Sequence, residues 1–255
     1  MKIGLCGGLD KIMEAQENGF AYLEPPVNGV AALSDEDYAA KLAMVREASI
    51  PTPAFNLLFP KTMQLLTDDV TDADIAAYLE KAMTRVAELG GKVAVFGSGK
   101  SRNKPEDMSY DDAFRRLVEV TRLTGEIAGK HGVIIVIEPL NRGESNMINS
   151  VAEGAALVAA VNHPSVKLLA DYYHMAKDGE PISDIVRLGG VCHAHIATKE
   201  GRRYPAVMEE GFVSFINALK ETNYSGLLSV EGKTDDIAVD APASIALLKK
   251  LWEDA

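Results

Sequence analysis

Cysteine is scarce in this sequence: Cys6 and Cys192 are the only two in 255 residues, and neither belongs to a CxxC motif. Both stand in apolar runs, which predicts buried free thiols in a reducing compartment rather than a disulfide framework. No apolar run approaches the ~20 residues that a membrane-spanning helix needs. The N-terminus lacks the long apolar core and the cleavage site of a signal peptide. These absences predict a cytoplasmic protein without a membrane partner.

Basic residues are also in the minority. Lysine and arginine number 26 against 37 acidic residues, so the net charge is −11. A surface of this sign repels a phosphate backbone, and we therefore expect no broad nucleic-acid-binding face, although a local basic patch stays open. The remaining composition, 47% hydrophobic and 25% charged, is that of an ordinary globular protein with a large core.

Short apolar runs alternate along the chain with longer segments of helical periodicity. The runs are rich in Val, Ile and Leu and lack clean polar alternation, which is typical of parallel strands buried on both faces. The predicted strands are Lys2–Cys6, Phe20–Glu24, Pro53–Leu57, Val93–Phe96, Val133–Glu138, Val166–Asp171, Val191–Ile196 and Leu227–Glu231. The predicted helices are Asp35–Ala48, Ala73–Leu89, Tyr110–Lys130, Val151–Val161, Ile182–Leu188, Phe212–Thr222 and Ala243–Trp252.

This order of elements predicts an α/β fold, a (βα)8 TIM barrel that forms a single domain over residues 1–255. A length near 250 residues is typical of one such barrel. A doubly wound Rossmann-type sheet is the alternative, but it would place a GxGxxG motif after the first strand. The residues that follow that strand, Gly7-Gly8-Leu9-Asp10, do not supply it.

Polar residues end the last four predicted strands, where a TIM barrel carries its chemistry. Glu138, Asp171, His195 and Glu231 occupy matching places there, each about one βα unit after the last. Because neighbouring strands lie ~5 Å apart, the four side chains can converge. Three carboxylates and one imidazole suit Mn²⁺, Mg²⁺ or Co²⁺ better than a structural zinc ion. The pattern predicts a divalent metal site.

Three neighbouring features have weaker interpretations. His193 faces the same side of its strand as His195, and we expect it to support the site or fill the core, because His195 lies nearer the strand end. Glu24 ends the second strand, where it would line the pocket or cap a helix. The glycines of Phe96-Gly97-Ser98-Gly99 do not form a P-loop, and we expect them to shape a loop over the pocket.

Together these residues resemble the xylose isomerase-like TIM-barrel superfamily. The resemblance rests on Glu138-Pro139-Leu140-Asn141-Arg142, Asp171-x-x-His174, His193-x-His195 and Glu231. The resemblance covers essentially the whole chain. Within the superfamily, the sequence is most similar to sugar (phosphate) isomerases and epimerases such as the D-tagatose/D-psicose 3-epimerases. Asn146-Met147-Ile148-Asn149 and the tyrosine pair after Asp171 also resemble a branch that acts on 3-keto-glycosides.

The resemblance implies one divalent cation, Mn²⁺ first and Mg²⁺, Co²⁺ or Zn²⁺ as alternatives, with the ligands Glu138, Asp171, His195 and Glu231. It implies that the two glutamates are also the catalytic acid and base. His174 and Glu144 would bind substrate, together with an arginine that precedes a proline. The loop is one residue longer than the usual spacing, so that arginine is either Arg202 or Arg203. We take Arg202 as the first choice.

The predicted function is therefore a metal-dependent sugar isomerase or epimerase that removes a proton α to a carbonyl of a keto-sugar or 3-keto-glycoside. A metal spreads the charge of the resulting enediolate, while carboxylates transfer the proton. Two alternatives stay open: a C-glycoside-cleaving subunit that needs a partner chain, and a non-catalytic sugar-binding barrel. A homo-oligomer also stays open. A three-zinc apurinic endonuclease is excluded, because the third and fourth strands contain no histidine.

Overall fold

Eight parallel β-strands form a nearly closed barrel in the computed structural model, which describes residues 1–255. The strands are β1 Lys2–Cys6, β2 Tyr22–Glu24, β3 Ala54–Phe55, β4 Val93–Phe96, β5 Ile134–Ile137, β6 Val166–Asp171, β7 His193–Ile196 and β8 Leu227–Val230. Their order is β2-β1-β8-β7-β6-β5-β4-β3. The two outer strands of this order meet at a bridge between Pro26 and Asn56. The predicted (βα)8 barrel is confirmed.

Ten α-helices surround the barrel. They are α1 Ile12–Glu17, α2 Val27–Ala32, α3 Asp35–Glu47, α4 Asp72–Glu88, α5 Tyr110–Lys130, α6 Val151–Val161, α7 Tyr172–Asp178, α8 Asp184–Arg187, α9 Glu210–Glu221 and α10 Ile237–Asp254. Four of them, α3, α4, α5 and α6, begin at side-chain caps, as the hydroxyl residues before them indicate: Ser34, Thr71, Ser109 and Ser150 each accept the N–H three residues later. No helix combines the length and apolarity that crossing a membrane requires.

Several element bounds differ from the prediction. The six-residue helices α1 and α2 and the seven-residue α7 were not predicted, because so few turns show little periodicity of their own. The predicted helix Ile182–Leu188 is reduced to α8. Helix α10 begins at Ile237 rather than Ala243, because Asp236 caps it and Pro242 is accommodated inside it. The predicted strand Pro53–Leu57 is reduced to the two residues of β3.

The core lies between the barrel wall and the helices. Strand residues such as Ile3, Ala94, Ile135 and Leu228 pack with helix residues in one continuous apolar cluster. The apolar character ends at the C-terminal ends of the strands. There the buried residues include Glu24, Glu138, Asp171 and His195. Since burying an isolated charge is costly, these groups must be paired or hold a cation.

Candidate metal centre and substrate site

The barrel brings the four predicted ligands together. One ligand atom each of Glu138, Asp171, His195 and Glu231 lies within 4.8 Å of the other three. The parallel register is responsible, because Asp171 pairs with His195 across β6 and β7, and His195 pairs with Ser229, two residues before Glu231, across β7 and β8. His195 Nδ1 lies 3.0 Å from Glu231 Oε2 and 3.2 Å from Glu138 Oε1. The arrangement is a compact, oxygen-rich set of donors with one nitrogen.

Asp171 supplies the observation that tests whether these residues fit a cation. Its Oδ1 accepts the Tyr173 N–H at 2.7 Å and begins helix α7. Its Oδ2 is buried and has no hydrogen-bond partner. Arg202 Nη2 and His174 Nε2 each lie 3.6 Å from this oxygen, within reach of its charge but beyond hydrogen-bond distance. A buried carboxylate oxygen without a hydrogen bond costs free energy unless something compensates it. A divalent cation among three carboxylates would do so, and the hard oxygen donors suit one. The residues present therefore fit the metal that the sequence predicts.

The buried carboxylate of Glu24 orients the imidazole of His195 from the side of the ring opposite to the cluster. Glu24 on β2 is fully buried, with Oε1 2.9 Å from His195 Nε2 and Oε2 2.8 Å from His193 Nε2. Ser229 donates its hydroxyl to Glu24 and lies 2.7 Å from the Tyr22 hydroxyl. Burial opposes the charged form of His195, but the charges of Glu24 and the neighbouring acidic groups outweigh it and raise the pKa of His195, so the ring is cationic while no metal is bound. In the neutral ring that a cation would bind, an Nε2–H that donates to Glu24 leaves the Nδ1 lone pair directed at the cluster. Glu24 thus neither lines the pocket nor caps a helix, which corrects both expectations.

The two glutamates of the cluster differ in their electrostatic surroundings. Burial raises the pKa of Glu138, and the nearby Glu231 charge adds to this, while His195 opposes it. Burial acts in the same direction on Glu231, but His195 and Arg202 outweigh it and lower the pKa of Glu231 to about 2. The surroundings thus move the two pKa values in opposite directions, that of Glu138 above and that of Glu231 below the ordinary value of a glutamate. Environments that separate two carboxyl groups in this way are typical of acid–base pairs.

Of the two candidate arginines, Arg202 lies in the site. Its Nη2 is 2.9 Å from Glu231 Oε2, and its guanidinium stacks 4.6 Å from the centre of the Tyr173 ring. Its backbone is left-handed, with φ of 49°, a strained conformation that often occurs at functional sites. Arg203 points away and pairs with Asp235 at the surface.

His174 and Glu144 lie on the same side of the cluster. The backbone and side-chain N–H groups of Asn141 approach His174 Nδ1 at 3.1 and 2.8 Å, which leaves Nε2 as the N–H that faces Asp171. The Asn141 side chain also donates to Glu144 Oε1 at 3.0 Å. Arg202 Nη1 lies 3.5 Å from the same oxygen. All five predicted catalytic and substrate-binding residues therefore surround one point.

Gly97 at the end of β4 makes room for Glu138. A Cβ at position 97 would lie 2.0 Å from Glu138 Oε2. No side chain fits at that distance, so only glycine permits the observed position of the carboxylate. We expected this glycine to shape a loop over the pocket. The structure adds a more specific role, which is to leave space for the Glu138 carboxylate.

Arg102 is a buried arginine whose guanidinium hydrogen-bonds to the backbone at the ends of β4 and β5. It is 1% exposed and donates to the carbonyl oxygens of Phe96 at 2.8 Å and Glu138 at 2.7 Å. The guanidinium thereby ties the ends of β4 and β5 together. Burial lowers the pKa of Arg102 to about 10, partly offset by the charge of Glu138, which leaves it cationic at neutral pH.

Sequence reasoning missed Arg102 and Gly97 and did not find the role of Glu24. For Glu24 a signal existed, since it ends an apolar strand as the four ligands do. Gly97 stood in a glycine-rich loop, but the closeness of Glu138 depends on the neighbouring strand. Arg102 carries no local sign of burial, because arginine after a glycine-rich turn is usually exposed.

Comparison with known proteins agrees with this fold. The family model described as xylose isomerase-like TIM barrel matches residues 12–251. The D-psicose 3-epimerase of Agrobacterium fabrum is 28% identical over 242 residues, which are 92% of this chain and 81% of that protein. The 3-dehydro-D-guloside 4-epimerase of Escherichia coli is 25% identical over 162 residues, 61% of this chain and 62% of that protein. Both names describe isomerases, in agreement with the predicted enzyme class.

A solved structure extends the agreement to the whole fold. A crystal structure of D-psicose 3-epimerase in the presence of D-fructose superimposes with a TM-score of 0.87 over 99% of each chain, at 21% sequence identity. At that identity the similarity concerns the barrel, and the chemistry rests on the residues described above.

Proposed function

Because the chain belongs to the xylose isomerase-like TIM-barrel family, we propose that it is a divalent-metal-dependent sugar epimerase that inverts a carbon next to a carbonyl in a keto-sugar or 3-keto-glycoside. One observation carries the proposal: four donors at the ends of successive strands converge, and one of them, Asp171 Oδ2, is buried without a hydrogen-bond partner. The relatives named as a ketose 3-epimerase and a 3-dehydro-guloside 4-epimerase support both substrate classes.

Glu138, Asp171, His195 and Glu231 would hold the cation, with Mn²⁺ our first choice. When bound, it would act as a Lewis acid that stabilises negative charge on neighbouring sugar oxygens. Glu24 keeps the His195 imidazole in the tautomer that can serve as a ligand. Asp171 is held by the first turn of α7, so its free oxygen is fixed before anything binds.

Glu138 and Glu231 are the proposed acid and base. They directly follow β5 and β8, which lie on either side of the two strands that carry Asp171 and His195. One of them, as the carboxylate, removes the proton α to the carbonyl and becomes the acid. The other, as the carboxylic acid, donates its proton to the opposite face, which inverts the carbon. General acid or base help of this kind is worth roughly 10²–10⁴-fold for each group.

The remaining polar groups would orient the sugar. The Nε2–H of His174 and the guanidinium of Arg202 point into the cluster and are donors for substrate oxygens. Glu144, held by Asn141, is an acceptor for a hydroxyl group. Tyr173 stacks on Arg202 and limits its movement. These groups bind and position the substrate while the two glutamates transfer protons.

Hydrogen–deuterium exchange tests the proposal. The protein is stripped of metal, reloaded with Mn²⁺ and incubated in D₂O with a panel of ketoses, ketose phosphates and 3-keto-glycosides, with NMR as the readout. We expect deuterium at one α-carbon, and this position identifies both the substrate class and the carbon. Absence of exchange with every compound, despite bound Mn²⁺, would favour the lyase subunit or the non-catalytic barrel.

The variant Glu231→Gln sharpens this test. We expect it to lose exchange by about 10²–10⁴-fold while it still binds Mn²⁺ through the other three ligands. Glu200→Gln, an exposed carboxylate on the loop after β7, is the control and should retain full exchange. Full activity in Glu231→Gln would exclude Glu231 as an acid or base.

A further inference from the structure

A second cavity adjoins the proposed metal centre. Its volume is about 350 Å³, and it opens at the ends of β1, β3 and β8. It shares Glu231 and Arg202 with the metal centre and continues to Cys6, Asn56, Leu57 and Lys233. A sugar held at the cluster would therefore have its remaining atoms in or beside this cavity. Asn56 and Lys233 have no role in the proton transfer or metal binding proposed above.

The backbone of Lys233 is fixed at the cavity wall by two hydrogen bonds. Its backbone N–H donates to the Arg202 carbonyl at 2.7 Å, and its carbonyl accepts the Tyr204 N–H at 3.0 Å. The preceding Gly232 permits this close pairing, because a Cβ there would lie 2.8 Å from the Arg203 carbonyl carbon. The loop after β8 is thus fixed to the loop that carries Arg202.

The ammonium group of Lys233 has no anionic partner. The acidic residues nearest along the chain are engaged: Asp235 pairs with Arg203, and Asp236 accepts the Ala238 N–H at the start of α10. Glu231 is bound to Arg202 and His195. Lys233 is an exposed residue at the rim of the cavity, and its ammonium group is a positive charge without an ion-pair partner in a protein whose net charge is −11.

Asn56 gives the cavity a buried polar group. The residue is 6% exposed, and its side-chain Oδ1 has no hydrogen-bond partner. Its backbone is fixed, since its N–H donates to the Pro25 carbonyl at 3.0 Å and its carbonyl accepts the Val27 N–H at 2.7 Å. Buried polar atoms without partners are few in folded proteins and are a frequent sign of a missing ligand contact.

We propose that this cavity binds the end of the sugar remote from the metal centre and selects substrates whose end carries an anion, a carboxylate or a phosphate. The Lys233 ammonium group pairs with the anion, and the Asn56 amide hydrogen-bonds to a neighbouring hydroxyl. This inference rests on the proposed function, because it concerns the same bound sugar.

Equilibrium binding to the Mn²⁺-loaded protein tests the inference with three probes of one carbon skeleton: D-tagatose, D-tagatose 6-phosphate and D-tagaturonate. We expect at least one anionic probe to bind about tenfold more tightly than D-tagatose, the value of one charge-assisted hydrogen bond. Lys233→Met should remove this preference, while Lys233→Arg should keep it. Asn56→Ala should weaken all three probes by a similar factor.

Lys61→Met is the matched control, an exposed lysine on the loop after β3 that does not line the cavity. It should bind all three probes as the wild type does. Preference for the phosphate alone or the carboxylate alone identifies the anion. The inference is overturned if neither anionic probe is preferred, or if the preference survives in Lys233→Met.

Deuterium exchange in the same samples separates this inference from the proposed function. Exchange without an anion preference would retain the epimerase and reject the anion-selective cavity. A preference that depends on Lys233, without exchange from any probe, would retain the cavity and reject the epimerase.

Discussion

The two halves of the barrel contribute differently to the site. Each of the strands β5 to β8 carries one of the converging donors near its C-terminal end or directly after it, whereas β1 to β4 supply none of the four. The first half instead contributes Glu24 behind His195, Gly97 beside Glu138, and Arg102 beneath the ends of β4 and β5. The half with the ligands is recognisable from residue types. The half that holds them in place is recognisable only from contacts.

This division teaches that a metal centre of this kind depends on residues that never touch the metal. A ligand must keep one position and one protonation state before the cation arrives, and packing and hydrogen bonds determine both. If the first half only completes the barrel, its variants should affect stability alone. If it supports the centre, they should also affect metal affinity and exchange.

The largest effect is expected for Gly97→Ala. The new methyl group would lie only 2.0 Å from Glu138 Oε2. Because the two atoms would clash, Glu138 would have to rotate out of the cluster. We expect a loss of proton exchange of about 10²–10⁴-fold, together with weaker Mn²⁺ binding. Circular dichroism should show an intact fold. Normal exchange in this variant would mean that Glu138 tolerates another position.

Arg102→Met should reduce both stability and metal affinity. It leaves the carbonyl groups of Phe96 and Glu138 without their guanidinium donors, at a cost of roughly 2–4 kcal/mol in the free energy of unfolding. Arg85→Met is the matched control, because Arg85 is also buried and donates to the carbonyls of Val30, Ala31 and Leu33 far from the site.

Urea unfolding and Mn²⁺ titration of both variants separate the two roles. We expect similar losses of stability, but a loss of Mn²⁺ affinity only in Arg102→Met. Equal Mn²⁺ affinity in the two variants would reduce Arg102 to a structural residue.

Glu24→Gln should weaken metal binding with little change in packing. The amide cannot accept hydrogen bonds from both histidines, so His195 loses the partner that determines its tautomer. Replacement of such supporting groups typically costs 10–100-fold in metal affinity, which a competition titration with a chelator measures. Tyr22→Phe, which removes a hydroxyl that reaches only Ser229, is the control and should bind Mn²⁺ nearly as well as the wild type.

The smallest effect concerns a carboxyl group in the second half, away from the metal. Burial raises the pKa of Glu180 to about 7, although the Val151 N–H that it accepts acts in the opposite direction. Between its ordinary pKa of 4.5 and this value, the folded protein holds a proton that the unfolded chain releases. Its stabilising contribution is therefore complete at low pH and lost as the pH rises towards 7.

Urea unfolding at pH 4.5 and pH 8 checks this in the wild type and in Glu180→Gln. We expect the wild type to lose about 1–2 kcal/mol relative to the variant, a value reduced for the partial exposure of the carboxyl group. Glu47→Gln, at an exposed position on α3, should follow the wild type. A constant difference between wild type and Glu180→Gln at the two pH values would contradict the assignment.

Much of the fold was predictable because it depends on short-range patterns. Strands β1, β4 and β6 and helices α5 and α6 have the predicted bounds, since apolar runs and serine caps mark them locally. Helices α1, α2 and α7 were not predicted, because each has too few turns for a periodic face. Their formation depends on packing against the barrel.

The sequence by itself determined the barrel, the family resemblance and the four candidate ligands, because strand ends recur at regular intervals and polar residues stand out against apolar strands. The tertiary structure decided which arginine faces the cluster, where Glu24 lies, why position 97 is glycine, and that Lys233 and Asn56 share a cavity with Glu231. These relations join residues far apart in the chain, and distance, burial and the direction of a lone pair exist only once the strands are in register.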